Sequence, residues 1–459
     1  MKIRSLTVAS LAVLGTALVA QPAWAAAGDF AAGSPAYSPS SVVVGFDRST
    51  PAAQGRSALR AAGVANVGES GPRSAVVRLR PGESPAAAAR RIARAPGVRF
   101  VKPNYLARAS AEFIPSDPGK GAPGDWRQIQ WNFAGTFGVN VEPAWDRLRQ
   151  LGVEGARGVV IAVIDTGVAY ESIGPYRRSP DLVGIPIQRP WDFIDGDRHA
   201  NDRNGHGTHV ASTIFENTNN GIGVTGLAYG ATLMPLRALD SAGLGDEVTV
   251  ARAIRFAAAH GADVINLSVE FDVRLNAGQL PTIISAMRYA RKRGTLVVAA
   301  AGNQAERRVA YPARYNYALA VGATTIRGCL AEYSDVGSGL DLVAPGGGAD
   351  SSVLDLRPGS SDRANCSFAG QPSPIYQMTF GRSLRSFGLA GGYQGTSMAT
   401  PHVSATAAMV IASGILGADP LPSAVSGRIE ATARDLGYPG YDKRYGYGLV
   451  DAGNALTAP

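Results

Sequence analysis

Three short stretches of the 459-residue chain surround a chemically active side chain with small neighbours. Val163-Ile164-Asp165-Thr166-Gly167-Val168 puts a carboxylate after an apolar run, and Asn204-Gly205-His206-Gly207-Thr208-His209-Val210 puts an imidazole among glycines. Gly395-Thr396-Ser397-Met398-Ala399-Thr400-Pro401-His402 puts a hydroxyl where a helix would begin. A serine hydroxyl is a weak nucleophile near neutral pH. It needs a base within hydrogen-bond reach, and that base needs a third group to fix its tautomer. Asp165, His206 and Ser397 are the residue types for those roles. The chemistry they could do is acyl transfer through a covalent intermediate. The glycines beside them let backbone or a substrate approach closely.

Other chemistries fit less well. A two-aspartate site needs a second Asp-Thr-Gly, and the chain has one. A Gly-x-Ser-x-Gly elbow would need glycine where Ala399 stands, with an aspartate and then a histidine to follow. His402, the last histidine, precedes every later aspartate. His206 and His209 lack a third ligand at a metal-site spacing.

The elements that must hold these residues are legible as hydrophobic patterns. Residues 158–164, 232–238, 263–267 and 295–300 are short apolar runs, and helical patterns fall at 209–216, 247–260 and 281–293. Strands apolar at nearly every position belong in a parallel sheet covered on both faces. The expected fold is therefore α/β, doubly wound, with a mostly parallel sheet and helices on both faces. Asp165 would follow a strand, at the end where such folds place active groups. Upstream, strands at 41–46, 74–79 and 98–101 alternate with helices near 52–62 and 84–95, a β-α-β-α-β order suited to a small α+β unit. Residues 106–126 turn polar and rich in Pro and Gly, as an exposed linker would.

All three motifs, in their order Asp, His, Ser, resemble those of the subtilisin family. The resemblance implies a serine endopeptidase with Asp165, His206 and Ser397 as its triad. Ala299-Ala300-Ala301-Gly302-Asn303 resembles the family's oxyanion-hole asparagine, so Asn303 and the Ser397 N–H would hold the developing oxyanion. One such donor is worth about 2.7–4 kcal/mol, a figure known from subtilisin rather than inferred from this chain. By the same likeness Gly243-Leu244-Gly245 and Ser268-Val269-Glu270 would pair with substrate backbone by strand addition. The second stretch departs from the family, where glycines follow the Ser-Leu pair. Glu270 there raises the expectation of Lys or Arg before the scissile bond.

The likeness further implies a structural calcium near Asp117, Asp181 and Asn220, with backbone oxygens of Ile222 and Val224, since oxygen donors suit a hard cation. No cofactor is expected for catalysis. Residues 37–106 resemble the family's inhibitory propeptide, which implies an intramolecular inhibitor cut away within 106–116. The expected division is a leader at 1–25, a propeptide at 26–112 and a catalytic domain at 113–459. Ser212 and Ser404 stand where the family has Gly or Ala, and residues 350–390 form a long insertion before Ser397. A catalytically silent relative serving as a binding module is the rival; the intact set of four chemical groups speaks against it.

Composition agrees with an exported globular enzyme. Lys2 and Arg4 precede an apolar run from Leu6 to Ala20, and Ala23-Trp24-Ala25 offers a small-x-small cleavage site. The run falls short of a membrane span, so no stable membrane anchor is expected. The destination would be the medium or a periplasm. The net charge of +8 is concentrated upstream: residues 113–459 carry about −1, which argues against a nucleic-acid partner. Protein or peptide substrates and the chain's own propeptide are the expected partners of a monomer. Cys329 and Cys366 are the two cysteines. In an exported chain such a pair favours a bridge, with two buried thiols as the alternative.

Overall fold

The structure, a computed structural model, describes residues 37–105, 113–366 and 371–458. The leader expected at 1–25 and residues 106–112 of the expected cleavage segment lie outside them. The chain divides into two compact units, Met1–Ala109 and Ser110–Pro459.

The first unit runs β1 (Tyr37–Phe46), α1 (Ala52–Ala61), β2 (Val67–Gly71), β3 (Ser74–Arg78), α2 (Pro85–Ile92) and β4 (Val98–Tyr105). Its four strands form an antiparallel sheet in the order β2-β3-β1-β4. Ser84 caps α2 by accepting the Ala87 N–H, and Pro85 opens the helix, as the sequence pattern suggests. Strand β2 is the one the pattern does not show. Val67-Gly68-Glu69-Ser70-Gly71 has a single β-branched residue and becomes a strand by pairing with β3 in tertiary context. Val42, Val44, Leu59, Val77, Ile92 and Val101 build this unit's core.

The second unit opens with single-turn helices α3 (Trp126–Ile129) and α4 (Trp131–Ala134), then α5 (Val141–Leu151) and β5 (Val160–Asp165). It continues with β6 (Trp191–Asp192), α6 (His206–Phe215), β7 (Thr232–Arg237), α7 (Glu247–Ala259), β8 (Val264–Leu267), α8 (Pro281–Lys292) and β9 (Leu296–Ala300). After β10 (Ala318–Thr324) and β11 (Leu342–Pro345) come α9 (Asp362–Asn365), β12 (Ile375–Phe380), β13 (Phe387–Tyr393), α10 (Thr396–Ser413), α11 (Pro422–Ala431) and α12 (Ala452–Thr457). Seven strands form a sheet in the order β11-β10-β9-β8-β5-β7-β6, parallel at every pairing. The expected doubly wound fold is present.

Along β5, Ile161 and Val163 face one cluster with α6 and α10, while Ala162 and Ile164 face the other with α7 and α8. That two-sided burial is why the strand reads as a continuous apolar run. Helix α10 is buried for most of its length, as a central helix must be, with its buried Thr, His and Ser side chains hydrogen-bonded. From β5 the chain goes to β7 and β6 on one side and then returns to β8, β9, β10 and β11 on the other. Strand β5 therefore borders the topological switch point, where sheets of this kind open a crevice at their strands' C-terminal ends. The long insertion supplies the β12–β13 antiparallel hairpin. Cys329 and Cys366 form a disulfide with Cα atoms 5.6 Å apart. Among the described residues no helix is long and apolar enough to cross a membrane.

Candidate active site

Asp165 ends β5, Ser268 follows β8, and Asn303 lies just beyond β9. These strands are neighbours with matched register, Ile164 beside Leu267 and Leu267 beside Ala299, so the sheet sets the three residues along one edge. His206 and Ser397 come from the other direction, as the first residue of α6 and the second of α10.

Fully buried Asp165 accepts from the Thr166 N–H at 2.7 Å and from His206 Nδ1 at 2.7 Å, both at Oδ1. The carboxylate fixes the tautomer with Nδ1 protonated and leaves Nε2 as the basic nitrogen. Burial opposes charging the ring, but Asp165's charge and hydrogen bond, with Asp202's charge added, outweigh it and raise the His206 pKa. A quarter of the side chain stays exposed, which limits that burial cost.

Asp202, absent from the sequence reading, organises this half of the site. Its Oδ1 accepts from Thr166 Oγ1 (2.9 Å) and the N–H groups of Asn204 and Gly205, and its Oδ2 from the N–H and hydroxyl of Thr208. Thr166 Oγ1 in turn accepts the Gly207 N–H at 2.9 Å. A side chain at Gly207 would put Cβ 2.1 Å from the Gly167 carbonyl, so the helix can lie this close to Asp165 only with glycine there. The available signal was an aspartate four residues before His206, placed to cap the orphan N–H groups of a helix start.

Ser397 Oγ donates to the Ser268 carbonyl at 3.2 Å and is not bonded to His206. Catalytic hydrogen bonds of this kind are often loose until substrate binds. Pro401 has no N–H to give the Ser397 carbonyl four residues back. Ser268 Oγ supplies that bond instead at 2.8 Å, while accepting from Asn266 Nδ2 at 3.0 Å. Asn266 Oδ1 accepts from Ser404 at 2.8 Å, so the small residue that departs from the family pattern closes a buried polar chain. Ser212, the other departure, donates to the Met378 carbonyl in β12 at 2.8 Å and ties α6 to the hairpin.

Asn303 Oδ1 accepts the Thr396 N–H (2.8 Å) and Thr396 Oγ1 (3.1 Å), and its Nδ2 donates to Glu270 Oε2 at 3.1 Å. The amide thus lies against the start of α10, where the Ser397 N–H, early in the helix, has no intrahelical acceptor. Asp335, also missed, pins the Asn303 loop. It accepts the N–H groups of Gln304 (3.0 Å) and Glu306 (2.8 Å) at Oδ1, and its own N–H donates to the Gly302 carbonyl at 2.9 Å. Burial, with Glu270 and Glu306 nearby, pushes its pKa up to about 7 despite those two bonds. Burial likewise raises Glu270, against hydrogen bonds from Asn303 and Gln304.

The remaining candidates are placed as follows. Gly243, Leu244 and Gly245 lie in a turn outside the sheet, with Asp240 Oδ1 accepting the Leu244 N–H and the Leu244 side chain exposed. Asn204 Nδ2 donates to the Ser241 carbonyl and joins that turn to the His206 loop. Val269 and Glu270 follow β8, half-buried. His209 and His402 are fully buried and held neutral by burial, at about 3 and about 4. Each donates to a main-chain carbonyl, of Ile375 and Met398, so both are core residues.

Asp117, Asp181 and Asn220 do come together. Asp117 accepts the N–H groups of Asn219 and Asn220; Asp181 accepts from Asn220 Nδ2 and the Val224 N–H; Asn220 Oδ1 accepts the Ile222 N–H. Burial, with the neighbouring carboxylates, raises Asp181 to about 8 and lifts nearby Glu216. Among the described residues no three His, Cys, Asp or Glu side chains are arranged to hold a metal ion. The donor set is nevertheless all oxygen and rich in carboxylate. A carboxylate has about four lone-pair sites, so these N–H bonds leave the Asp117 and Asp181 oxygens capacity for a hard cation.

A buried carboxylate that orients a histidine at the edge of a parallel sheet, with a serine at the start of a buried helix, is the residue set of a serine hydrolase. The Subtilase family description matches residues 156–448, and a Fervidolysin N-terminal prodomain matches residues 25–104. The chain is 33% identical over 362 residues to the Thermophilic serine proteinase of Bacillus sp. strain AK1, covering 79% of this chain and 73% of the relative. It is 32% identical over 413 residues to the Extracellular protease of Xanthomonas campestris pv. campestris, covering 80% and 61%. Among solved structures it resembles a protease of Pseudoalteromonas arctica PAMC 21717, with a TM-score of 0.58 at 29% identity over 75% of this chain and 99% of the other. The chain belongs to the subtilase family and is a subtilisin-type serine protease with an N-terminal prodomain.

Proposed function

We propose that the protein is an exported endopeptidase, made as a zymogen, that cleaves peptide bonds through an acyl-enzyme on Ser397. His206 Nε2 takes the Ser397 proton as Oγ attacks the carbonyl carbon, and Asp165 stabilises the imidazolium. His206 then gives that proton to the leaving amine, and water releases the acyl group by the reverse sequence. The Asn303 amide and the Ser397 N–H stabilise the oxyanion. The observation that carries this reading is the 2.7 Å bond between Asp165 and His206, which leaves Nε2 free as a base. Export is supported by the leader pattern at 1–25 and by the likeness to the Extracellular protease of Xanthomonas.

Residues 26–112 act as intramolecular inhibitor and are removed by the enzyme's own cut within 106–116. Calcium at Asp117, Asp181 and Asn220, with the carbonyls of Ile222 and Val224, serves stability and takes no part in the chemistry.

The test is purification of the wild type beside Ser397→Ala. Wild type labels with a fluorophosphonate and begins, by N-terminal sequencing, within 106–116. Ser397→Ala does not label, keeps its upstream segment covalently attached, and loses roughly 10⁶-fold in kcat, the scale known for subtilisin's serine. Processing of the variant at the same bond in a purified system would overturn self-maturation. Unlabelled, inactive wild type would overturn the enzyme reading.

A further inference from the structure

The stretch after β8 touches both reacting partners. The Ser268 carbonyl accepts from Ser397 Oγ, and two residues on Glu270 Oε2 accepts from Asn303 Nδ2 at 3.1 Å. Asn303's orientation is not free. Its oxygen is held by the N–H and hydroxyl of Thr396, so its nitrogen must face Glu270 and the crevice. Glu270 therefore reaches the very group assigned to the oxyanion.

That contact has a geometric consequence. The oxygen that becomes the oxyanion belongs to the carbonyl of the residue before the scissile bond. The α-carbon of that residue is one bond from the reacting carbon, so its side chain starts beside Asn303. The charged group already bonded to Asn303 is Glu270, half-buried and with no ion-pair partner among the described residues. The nearby Asp335 carboxyl is buried and adds no positive charge.

An unpaired carboxylate here acts twice. It attracts a cationic side chain entering the crevice, and it repels the negative charge that develops on the carbonyl oxygen. A lysine or arginine cancels the carboxylate and removes that repulsion. An apolar side chain buries the carboxylate further and leaves the repulsion in place, a cost that falls on the wrong substrate.

Resting on the endopeptidase reading above, we propose that Glu270 is a specificity-determining residue. It selects Lys or Arg on the acyl side of the scissile bond and couples the neutralisation of its own charge to formation of the oxyanion. Selectivity then appears in kcat as well as in KM, because part of the discrimination arises only in the transition state.

The experiment uses mature enzyme and peptide amides that differ only in the residue before the cleaved bond: Lys, Arg, Gln, Leu and Phe. Wild type favours Lys and Arg, and Glu270→Gln lowers the Lys-to-Leu ratio of kcat/KM by about tenfold or more, with kcat contributing. A side chain that only shaped the loop would change all five substrates in proportion, and an unchanged ranking overturns the proposal. Should Glu270→Gln fail to fold, wild type decides alone. Competitive inhibition by a benzylguanidinium compound at least about tenfold tighter than by its uncharged isostere supports the proposal, and equal inhibition overturns it. Failure of fluorophosphonate labelling would sink the endopeptidase reading and this inference together. Labelling with an unaltered ranking would sink this inference alone.

Discussion

On the imidazole side of the crevice, one buried aspartate accepts five hydrogen bonds and locks the residue after Asp165 to the start of the helix bearing His206. On the oxyanion side, Asn303 begins a loop whose residues Gln304–Arg308 are exposed, held from beneath by Asp335 and flanked by Glu270. Gly302 has φ of +120°, and a Cβ there would sit 2.0 Å from Asp335 Oδ2; Ala305 takes φ of +54° without glycine's freedom. The first half is rigid because charge, cap and close backbone contact agree. The second holds the Asn303 amide against the Glu270 carboxylate, on a loop that Asp335 anchors through the N–H groups of Gln304 and Glu306.

The sharpest way to break this contrast is Asp165→Asn. Loss of tautomer control should lower kcat by about 10⁴-fold, a scale known from serine proteases. The pH profile gives the sign. His206 must be neutral to act, and its raised pKa places the rising limb of kcat/KM above the ordinary histidine range near 6.5. Removing the Asp165 charge should move that limb to lower pH. A limb that stays in place would mean the carboxylate does not set the base.

A smaller loss is expected on the other side. Asn303→Ala should cost about 10²–10³-fold in kcat with KM little changed. Asp335→Ala should cost about tenfold by loosening the loop, and Asp335→Asn, which keeps one acceptor oxygen, should recover most of it. If both Asp335 variants match wild type in kcat, the loop does not depend on that anchor. The smallest effect lies outside the crevice. Millimolar calcium should raise the Tm of mature enzyme by about 2–5 °C, and Asp181→Asn should abolish the increment while leaving kcat near wild type. An identical Tm with calcium and with chelator would refute the site.

Much of the fold was legible. β5, β7, β8 and β9 fall within about two residues of the apolar runs that announce them, because burial on both faces leaves an unbroken hydrophobic signature. β2, β6, β10, β11 and the β12–β13 hairpin were not read; β2 and β13, rich in glycine, become strands only when a partner supplies the ladder. Helix α6 begins at His206, three residues before its apolar pattern, because Asp202 satisfies the N–H groups at its start.

The amino-acid order by itself singled out the groups proposed to do the chemistry: Asp165, His206, Ser397 and Asn303 stand in motifs whose composition and succession carry the family resemblance. Tertiary structure alone decided how those groups are held. Asp202 reaches Thr166 across 36 residues, Asp335 reaches Gln304 across 31, and Glu270 meets Asn303 across 33. The physical reason is range. Hydrophobic periodicity is a local record of burial, whereas a carboxylate's partners are chosen by whichever N–H groups the packed strands and helices bring within about 3 Å.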